Sequence, residues 1–341
     1  MNGTPFEMPT LLRQSVLLES DRVRILDRRI FPFEMRFVDC RTVEDVACAI
    51  EAMVTQSGGP FYAASAGMVL AARMAQGLVQ VARREMMQAS AKRLIATRHT
   101  NNLIANAVGA MLAEAEARIA EDAFAAGMET AMHLLWESSR AQSRQVGEHA
   151  ATQIHDGDTV LTHCWGESAI IEPLAAALRA GKRIKVICTE TRPYLQGSRL
   201  TAHSIAEMGI DVTVITDNMG AWAMDRGRVS RLITAADRVT MSGHVVNKVG
   251  TLQLALAAHA YGLPYIATVQ DPDRKAPGPQ DVPMEDRDPN ETLHCLGRRT
   301  ASPLAHGWYP AFDITPPHLV TAIATTRGIF PADQMEQHYA V

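Results

Sequence analysis

The chain has 341 residues, a mass of 37.2 kDa, a 47% apolar fraction and only 5% aromatic residues. This profile excludes intrinsic disorder and fibrous structure and leaves room for one large or two smaller domains. Lysine and arginine total 33 against 37 acidic residues, giving a net charge of -4 and a pI near 6.3, so no overall basic field favours nucleic acid as a partner.

The first 150 residues are predicted to form a mainly helical domain. A strand-like segment at 23–40 precedes three stretches whose apolar residues recur at helical spacing, at 42–54, 61–87 and 103–136. Alanine and methionine fill many of these positions, which is typical of core packing and gives no sign of a cofactor site.

Residues 151–341 are predicted to form a doubly wound α/β domain. Short apolar, β-branched runs alternate with helical segments and lack strict polar alternation, so we expect strands buried on both faces of a parallel sheet. The five predicted strands are 159–164, 183–190, 211–217, 231–237 and 264–269. Pro173 falls in the first helix of this domain, and because an interior proline breaks a helix, we expect it to lie in the first turn or to mark a late start of the helix.

Polar side chains occur at the ends of four of these strands. His163 and Cys164 end the first, Arg192 follows the second, and Asp217 and Asp237 end the next two. Ligands of open α/β sheets bind outside the carboxyl ends of the strands. The sequence therefore predicts a functional cleft at this edge.

Sequence fingerprints for cofactors are absent. No G-x-G-x-x-G follows a strand, no G-x-x-x-x-G-K-[ST] or G-x-S-x-G is present, and the 12 histidines include no i, i+3 or i, i+4 pair suited to a metal. We therefore predict no cofactor, no metal, and acid–base chemistry by the chain's own side chains.

The number and spacing of the cysteines indicate the redox state of the cellular compartment in which the protein is expected. Their number is odd and they show no C-x-x-C spacing, which indicates reduced thiols rather than disulfides or a zinc site; they are Cys40, Cys48, Cys164, Cys188 and Cys295. The N-terminus shows no signal sequence, and no run of 18 apolar residues occurs. We expect a cytoplasmic protein without membrane association.

Cys164 and Asp237 are the candidate acid–base residues. A free cysteine at the end of a buried strand is commonly only a small apolar side chain, so both interpretations of Cys164 stay open. A carboxylate that ends an apolar strand must be hydrogen-bonded, paired, or neutral with a raised pKa, and a raised pKa suits an acid–base group. Asn247 and Lys248 are predicted at the start of the next helix, where backbone N–H groups and the lysine charge favour a small anion such as a phosphate ester.

Five segments together resemble one protein family, that of methylthioribose-1-phosphate isomerase, ribose-1,5-bisphosphate isomerase and the regulatory subunits of eukaryotic initiation factor 2B. They are THC at 162–164, TETRPYLQGSRLTA at 189–202, ITDNMGAWAMDRG at 215–227, AADRVTMSGHVVNKVGT at 235–251 and YPAFDITP at 309–316. The resemblance extends over nearly the whole chain and is strongest in the C-terminal half. It implies a helical N-terminal domain, a Rossmann-like C-terminal domain and a homodimer.

The resemblance also implies roles for particular residues. Cys164 and Asp237 match the family's acid–base pair, which the regulatory subunits lack, so an enzyme is expected. The residues matched to binding of the substrate and its phosphate are Gly58, Gly59, Arg98, Gln196, Asn247 and Lys248, with Arg98 lying in the segment TRHTNNL.

Two departures from the family pattern concern the choice of substrate. The family's Arg-Gly-Ala reads Ser57-Gly58-Gly59 here, so an expected phosphate-contacting arginine is absent, and its Asn-Gly-Asp reads Ser242-Gly243-His244. Our first expectation is aldose–ketose isomerisation of S-methyl-5-thioribose 1-phosphate. The alternatives are the isomerisation of ribose 1,5-bisphosphate or another 5-substituted ribose 1-phosphate, and a non-catalytic sensor of sugar phosphates or nucleotides.

Overall fold

The computed structural model describes residues 6–98, 102–284 and 286–340. Their contacts divide into two compact units. One is Thr10–Ala141, and the other comprises the described residues from Gln142 onward together with those before Thr10. The division falls inside one long helix, Phe124–Ala151, whereas the sequence analysis placed it after residue 150.

The first unit is mainly helical, as predicted. Its strands form a small antiparallel sheet in the order β1–β2–β3; they are β1 (Val16–Leu18), β2 (Val23–Leu26) and β3 (Phe37–Cys40). Its helices are α1 (Thr10–Arg13), α2 (Val43–Glu51), α3 (Gly59–Ala75), α4 (Gln80–Ile95), α5 (Asn102–Ala117) and the part of α6 (Phe124–Ala151) that precedes Gln142. Of the 17 residues of α3, 13 are buried, six of them alanines, which confirms the predicted core packing of this stretch.

Local side-chain chemistry explains where α2 begins. Thr42 precedes the helix in an extended conformation, and its hydroxyl accepts a hydrogen bond from the Asp45 N–H at 3.1 Å. The Asp45 carboxylate in turn accepts from the Thr42 N–H at 2.9 Å. This reciprocal capping box satisfies two N–H groups that the helix itself leaves without partners.

The second unit is built on a seven-stranded sheet, and this confirms the predicted α/β class. The strand order is β15–β14–β10–β7–β4–β5–β6, parallel except for β15. These strands are β4 (Thr159–Thr162), β5 (Lys185–Thr189), β6 (Asp211–Ile215), β7 (Arg231–Ala235), β10 (Tyr265–Thr268), β14 (Ala322–Thr325) and β15 (Gly328–Phe330). All five predicted strands are present, each within its predicted range.

Helices and short strands complete this unit. The helices are α7 (Ser168–Arg179), α8 (Ala202–Glu207), α9 (Gly220–Asp225), α10 (Thr251–Ala260), α11 (Asn290–Leu293) and α12 (Gln337–Ala340), with one π turn at Gly197–Thr201. A three-stranded antiparallel sheet contains β8 (Arg238–Val239), β9 (Val245–Lys248) and β13 (Phe312–Thr315), and a two-stranded one contains β11 (His294–Cys295) and β12 (Arg298–Arg299). No helix within residues 6–98, 102–284 or 286–340 is both long and apolar enough to cross a membrane.

The expectation for Pro173 is wrong. Helix α7 begins at Ser168, so Pro173 lies in its interior rather than in its first turn. The missing N–H of Pro173 leaves the Ala169 carbonyl without its helical donor. The Thr268 hydroxyl of β10 donates to that carbonyl at 2.8 Å instead, which removes part of the usual cost of an interior proline.

The chain order of the strands fixes where a ligand site belongs. The chain first adds strands outward from β4 to β5 and β6, and then returns to place β7 on the other side of β4. The loops that leave β4 and β7 therefore diverge to opposite sides. Open α/β sheets bind ligands in the crevice that forms at such a switch point.

Candidate active site

Cys164 and Asp237 lie on the two sides of the switch point. β4 pairs in parallel with β7, with Val160 opposite Arg231 and Leu161 opposite Leu232. Cys164 follows the end of β4 by two residues, and Asp237 follows the end of β7 by two residues. The two predicted acid–base residues therefore leave the same edge of the sheet, on neighbouring strands.

Cys164 has a backbone conformation that is uncommon for a residue with a side chain. Its φ is +66°, in the left-handed region, which costs on the order of 1–3 kcal/mol. Two threonine hydroxyls hold it there: the Cys164 N–H donates to Thr191 Oγ1 at 3.0 Å, and the Cys164 carbonyl accepts from Thr201 Oγ1 at 2.6 Å. The backbone of this turn is therefore held by hydrogen bonds to both the N–H and the carbonyl of Cys164.

Burial and nearby charges set the protonation of Cys164. Burial of the thiol raises its pKa to about 11. The positive charges of Lys248 and Arg287 act in the lowering direction, and the negative charge of Asp237 acts in the raising direction. At neutral pH the group is a protonated thiol, so it is able to donate a proton.

Asp237 is solvent-exposed in this chain, whereas the sequence argument had assumed an apolar surrounding. Its backbone N–H donates to the Val246 carbonyl of β9 at 2.9 Å, which fixes the chain direction after β7. Its carboxylate is near enough to Cys164 to act on the pKa of the thiol. An exposed carboxylate within electrostatic reach of a protonated thiol is a candidate base for that acid.

The prediction that Asn247 and Lys248 begin a helix is wrong. Both lie on strand β9, where Lys248 pairs with Phe312 and Asn247 with Asp313, and α10 begins only at Thr251. Because this strand is paired and packed, both side chains are buried, at 4% and 5% exposure. Asn247 Nδ2 donates to the Thr251 hydroxyl at 3.0 Å.

The charged Nζ of Lys248 lies close to two aromatic rings. Its Nζ lies 5.1 Å from the ring centroid of Phe312 and 5.7 Å from that of Tyr309. Its charge also acts to lower the pKa values of Cys164 and Asp313. Lys248 is therefore a buried cation within electrostatic reach of the candidate acid–base pair.

Asp313 takes the position at which the sequence analysis expected a bound anion. Its Oδ2 accepts from the N–H groups of Gly250 at 2.7 Å and Leu252 at 3.1 Å, so a carboxylate of the chain itself caps α10. Its Oδ1 is buried and has no hydrogen-bond partner among the described residues. Burial raises the pKa of Asp313 to about 6, against the lowering effect of the two N–H groups and Lys248.

Gln196 reaches the same edge of the sheet from the loop after β5. It is only 4% exposed, and its Oε1 has no hydrogen-bond partner within the part of the chain that the structure describes. The next residue must be glycine, because a Cβ on Gly197 would lie 1.8 Å from the Thr189 carbonyl oxygen. This close approach holds Gln196 beside the end of β5.

Gly58, Gly59 and Arg98 belong to the first unit. Gly59 is the first residue of α3 and Gly58 precedes it, without a side-chain cap on the helix. A Cβ on Gly59 would lie 2.0 Å from Thr55 Oγ1 and 2.7 Å from Arg28 Nη2, so only glycine fits there. Arg98 contacts the Met53 sulfur, and its neighbours 99–101 lie outside the described residues. The binding roles of these three residues stay predictions.

His163 is buried and lies within hydrogen-bonding distance of residues at the ends of two other strands. It is 2% exposed, and burial lowers its pKa, so the ring is neutral at physiological pH. Its Nε2 lies 2.9 Å from the Val249 carbonyl, which only accepts, so Nε2 carries the proton and Nδ1 accepts from the Thr189 hydroxyl at 2.6 Å. The ring connects the ends of β4, β5 and β9.

The sequence analysis did not single out Arg287 and Tyr309, which both interact electrostatically with Cys164, nor their neighbours Tyr194 and Glu291. Arg287 lies in the proline-rich acidic segment 271–289, and its N–H donates to the Tyr309 carbonyl at 2.9 Å. Its guanidinium lies 5.9 Å from the Tyr194 ring, and the Tyr194 hydroxyl donates to Glu291 at 2.8 Å. Tyr309 could have been identified from the sequence by its position at the start of YPAFDITP. Nothing in the local pattern of 271–291 indicates that Arg287 lies near the switch point.

Comparison with known proteins identifies the family. The model of the initiation factor 2 subunit family matches residues 62–332, and the chain belongs to this family. Methylthioribose-1-phosphate isomerase of Chloroflexus aurantiacus is 37% identical over 330 residues, covering 93% of this chain and 94% of the relative. The protein of the same name from Thermosipho melanesiensis is 36% identical and covers 91% and 92%. The chain is accordingly an enzyme, an isomerase.

Solved structures agree with the fold. The 5-methylthioribose 1-phosphate isomerase from Pyrococcus horikoshii is 26% identical with a TM-score of 0.86, and the match covers 98% of each chain. The delta subunit of translation initiation factor eIF-2B from A. fulgidus is 30% identical with a TM-score of 0.79, covering 93% of this chain and 95% of that chain. One architecture thus serves both an enzyme and a protein named as a translation factor.

Proposed function

We propose that the protein is an aldose–ketose isomerase that converts S-methyl-5-thioribose 1-phosphate into S-methyl-5-thioribulose 1-phosphate without a cofactor. The observation that carries this proposal is the buried, protonated Cys164 thiol, which lies within electrostatic reach of the Asp237 carboxylate and of the Lys248 and Arg287 cations. The names of the relatives support the choice of substrate.

The first step opens the sugar ring. The phosphate on C1 prevents the spontaneous opening that a free hemiacetal undergoes, so an acid and a base must act together. The Cys164 thiol gives its proton to the ring oxygen O4 as the C1–O4 bond breaks, and the Asp237 carboxylate takes the proton from C2. The result is an enediol phosphate with a C1=C2 double bond, a Cys164 thiolate and a protonated Asp237.

The second step completes the isomerisation. Protonated Asp237 returns its proton to C1, and the Cys164 thiolate takes the proton of the C2 hydroxyl as the C2 carbonyl forms. Both residues regain their starting protonation, and no atom is gained or lost. The Lys248 and Arg287 charges stabilise the transient thiolate, because they act against the burial that raises the pKa of Cys164 to about 11.

The phosphate group needs partners with positive charge or hydrogen-bond donors. We propose that Lys248 and Asn247 provide them on β9, with Gln196 beside them at the end of β5. All three are at least nine-tenths buried, so their interactions with an anion are screened little by water. The binding roles of Gly58, Gly59 and Arg98 rest on the family resemblance alone.

Replacement of the acid–base pair is the direct test of catalysis. Cys164→Ser and Asp237→Asn should each lower kcat by about 10² to 10⁴, the usual contribution of a positioned acid or base. Ketose formation from methylthioribose 1-phosphate measures the loss, and Cys188→Ser, at a buried thiol on β5, is the matched control with expected near-wild-type activity. A Cys164→Ser or Asp237→Asn enzyme with wild-type kcat would remove that residue from the mechanism.

The route of the C2 hydrogen needs a separate measurement. A proton transferred through Asp237 exchanges with solvent, so the reaction in D₂O should place deuterium at C1 of the ketose. A hydride shift from C2 to C1 gives the same ketose with full retention of the C2 label and no solvent deuterium. Full retention of the C2 label would be compatible with the isomerase activity but would exclude the enediol mechanism in favour of the hydride shift.

A further inference from the structure

A chain of hydrogen bonds between buried groups links the backbone of Cys164 to the end of strand β9. The Cys164 N–H donates to Thr191 Oγ1 at 3.0 Å, and Thr191 Oγ1 lies 3.3 Å from Thr189 Oγ1. Thr189 Oγ1 lies 2.6 Å from His163 Nδ1, and His163 Nε2 lies 2.9 Å from the Val249 carbonyl. Both threonines are fully buried and His163 is 2% exposed. The proposed mechanism uses none of these three side chains.

The donor and the acceptor of each bond in this chain are fixed. The Val249 carbonyl only accepts, so the neutral His163 ring has its proton on Nε2 and accepts at Nδ1. Thr189 gives its one hydroxyl proton to Nδ1, so Thr191 is the donor between the two hydroxyls, with the Thr189 carbonyl as a more distant acceptor at 3.5 Å. The Thr191 oxygen accepts from Cys164. Bonds that all run in one direction polarise and strengthen one another.

Asp217 and Gly197 determine the position of Thr191. The Asp217 carboxylate accepts from the N–H groups of Thr191 at 2.7 Å and Arg192 at 2.8 Å. Thr191 has a φ of +61°, a left-handed conformation that persists only where the surrounding contacts impose it. A Cβ on residue 197 would lie 2.7 Å from Thr191 Oγ1, so the glycine makes room for this hydroxyl. The hydroxyl is thus held next to the turn that contains Cys164.

The chain ends next to the cation that acts on the thiol. Val249 directly follows Lys248, the last residue of β9. Burial raises the pKa of Cys164, and the positive charge of Lys248 acts in the opposite direction. The attraction between a cation and a thiolate weakens with distance. A displacement of about 1 Å can therefore cost an enzyme about 10²-fold in rate.

We propose that Thr191, Thr189 and His163 are positioning residues, which hold Cys164 at a fixed distance from Lys248 while the thiol gives up and regains its proton. They act through Cys164 and not on the substrate, because both hydroxyls are fully buried and bonded within the chain. This inference rests on the proposed function and extends it to side chains outside the acid–base pair.

Removal of the Thr191 hydroxyl is the first test. Thr191→Val keeps the shape of the side chain but offers no acceptor to the Cys164 N–H, so kcat for methylthioribose 1-phosphate should fall by about 10- to 100-fold. KM should change by less than about threefold, because no contact with the substrate is lost. Thr191→Ser retains the hydroxyl and its hydrogen bonds, so its kcat should stay within about threefold of the wild type.

Thr162→Val is the matched control. Thr162 is a buried threonine at the end of β4, 1% exposed, and its hydroxyl has no hydrogen-bond partner among the described residues. The same substitution should therefore leave kcat unchanged at this position. A wild-type kcat in Thr191→Val, or equal losses in Thr191→Val and Thr191→Ser, would overturn the role of the hydroxyl.

Thr189→Val tests the chain one bond farther from Cys164. It leaves His163 Nδ1 without a donor while Thr191 still accepts from Cys164, so kcat should fall less than in Thr191→Val, by about 3- to 10-fold. Thr189→Ser should restore the activity. This second pair of variants also decides the matter if Thr191→Val does not fold. An unchanged kcat in Thr189→Val would overturn the proposal for the chain as a whole.

Alkylation of Cys164 measures the position of the thiol without any substrate. At about pH 9, Lys248→Met should slow the reaction of Cys164 with iodoacetamide by about 3- to 10-fold, because the thiolate loses a nearby positive charge. In the Thr191→Val background the thiol is no longer held beside residue 248, so the same change should slow alkylation by less than about twofold. Mass spectrometry of the peptide that contains Cys164 gives the rates. Equal effects in the two backgrounds would overturn the positioning role.

Failure of the positioning role and failure of the proposed function give different results. If the wild type isomerises no sugar 1-phosphate, the proposed function fails, and the alkylation experiment still decides whether Thr191 holds Cys164 beside Lys248. If the wild type and Thr191→Val isomerise methylthioribose 1-phosphate equally fast, the proposed function stands and the positioning role is rejected.

Discussion

Burial alone does not distinguish Cys164 from the other thiols of this chain. Burial raises the pKa of Cys40 and of Cys188 to about 12, and neither residue has a cation acting against that effect. Cys164 has Lys248 and Arg287 within electrostatic reach and a left-handed backbone directly after β4. What marks the candidate acid is therefore its charged surroundings and its strained turn.

Asp313 gives a prediction at the residue scale. Its pKa is raised by burial from 3.8 to about 6, so the folded protein holds this proton more tightly than the unfolded chain does. The stabilisation is complete below pH 4 and is lost as pH rises through 6. Relative to Asp313→Asn, whose amide oxygen still caps α10, the free energy of unfolding of the wild type should fall by up to about 3 kcal/mol from pH 4 to pH 7.

Urea unfolding of both proteins across this pH range measures the difference. Asp156 is a control for which we expect stability to change with pH in the opposite direction, because its hydrogen bonds with Arg183 lower its pKa to about 2. Its stabilising effect should be present above pH 4 and disappear as pH falls toward 2. A difference between wild type and Asp313→Asn that does not change with pH would contradict the raised pKa of Asp313.

At the scale of elements, helix α7 continues through an interior proline because a neighbouring strand compensates for it. The carbonyl of Ala169 has no helical donor four residues later, since Pro173 lacks an N–H. Thr268 of β10, fully buried, donates its hydroxyl there at 2.8 Å. Sequence periodicity describes one segment at a time. It therefore does not predict a hydrogen-bond donor from a strand about 100 residues further along the chain.

A double-mutant cycle tests this compensation. Thr268→Val keeps the shape of the side chain but leaves the Ala169 carbonyl buried without a donor, so it should cost about 1–3 kcal/mol of stability. In the Pro173→Ala background the new N–H of residue 173 supplies the donor, and the same Thr268→Val change should cost less. Equal costs in the two backgrounds, measured by urea unfolding, would show that the hydroxyl and the proline are not coupled.

Strand β9 shows a second limit of local prediction. The segment that contains Asn247 and Lys248 was expected to begin a helix because a helical pattern follows it directly. The structure places it in a sheet with β13, whose residues come more than 60 positions later. The pairing buries both side chains, and it also brings Asp313 to the helix start that was expected to bind an external anion.

At the scale of the whole molecule, the strand order brings together residues that are far apart in the sequence. Cys164 follows β4, and Asp237, 73 positions later in the sequence, follows β7. These parallel strands are neighbours only because the chain crosses back after β6 and adds β7 on the other side of β4. Arg287 and Tyr309 come from a later, mostly irregular region of the chain. The site thus depends on the topology of the complete second unit.

The prediction for the whole molecule concerns its oligomeric state. Following the family resemblance, we propose that the protein is a homodimer, and large apolar side chains such as Trp222 and Leu256 are more than half exposed on the single chain. Light scattering at micromolar concentration should give twice the 37.2 kDa of one chain. A mass of one chain, unchanged on concentration, would contradict the proposal.

The amino-acid sequence was enough to predict the helical N-terminal part, the α/β class, the five central strands and the places of Cys164 and Asp237 after their strands, because each of these follows from local periodicity or from motifs whose residues are adjacent in the chain. The surroundings of those two residues could be learned only from the folded structure. The pKa of Cys164, the Asp313 cap, the donor for the Ala169 carbonyl and the hydrogen-bond chain from Cys164 to Val249 all arise between segments distant in sequence. Burial and electrostatics depend on which segments meet, and only the folded chain sets that.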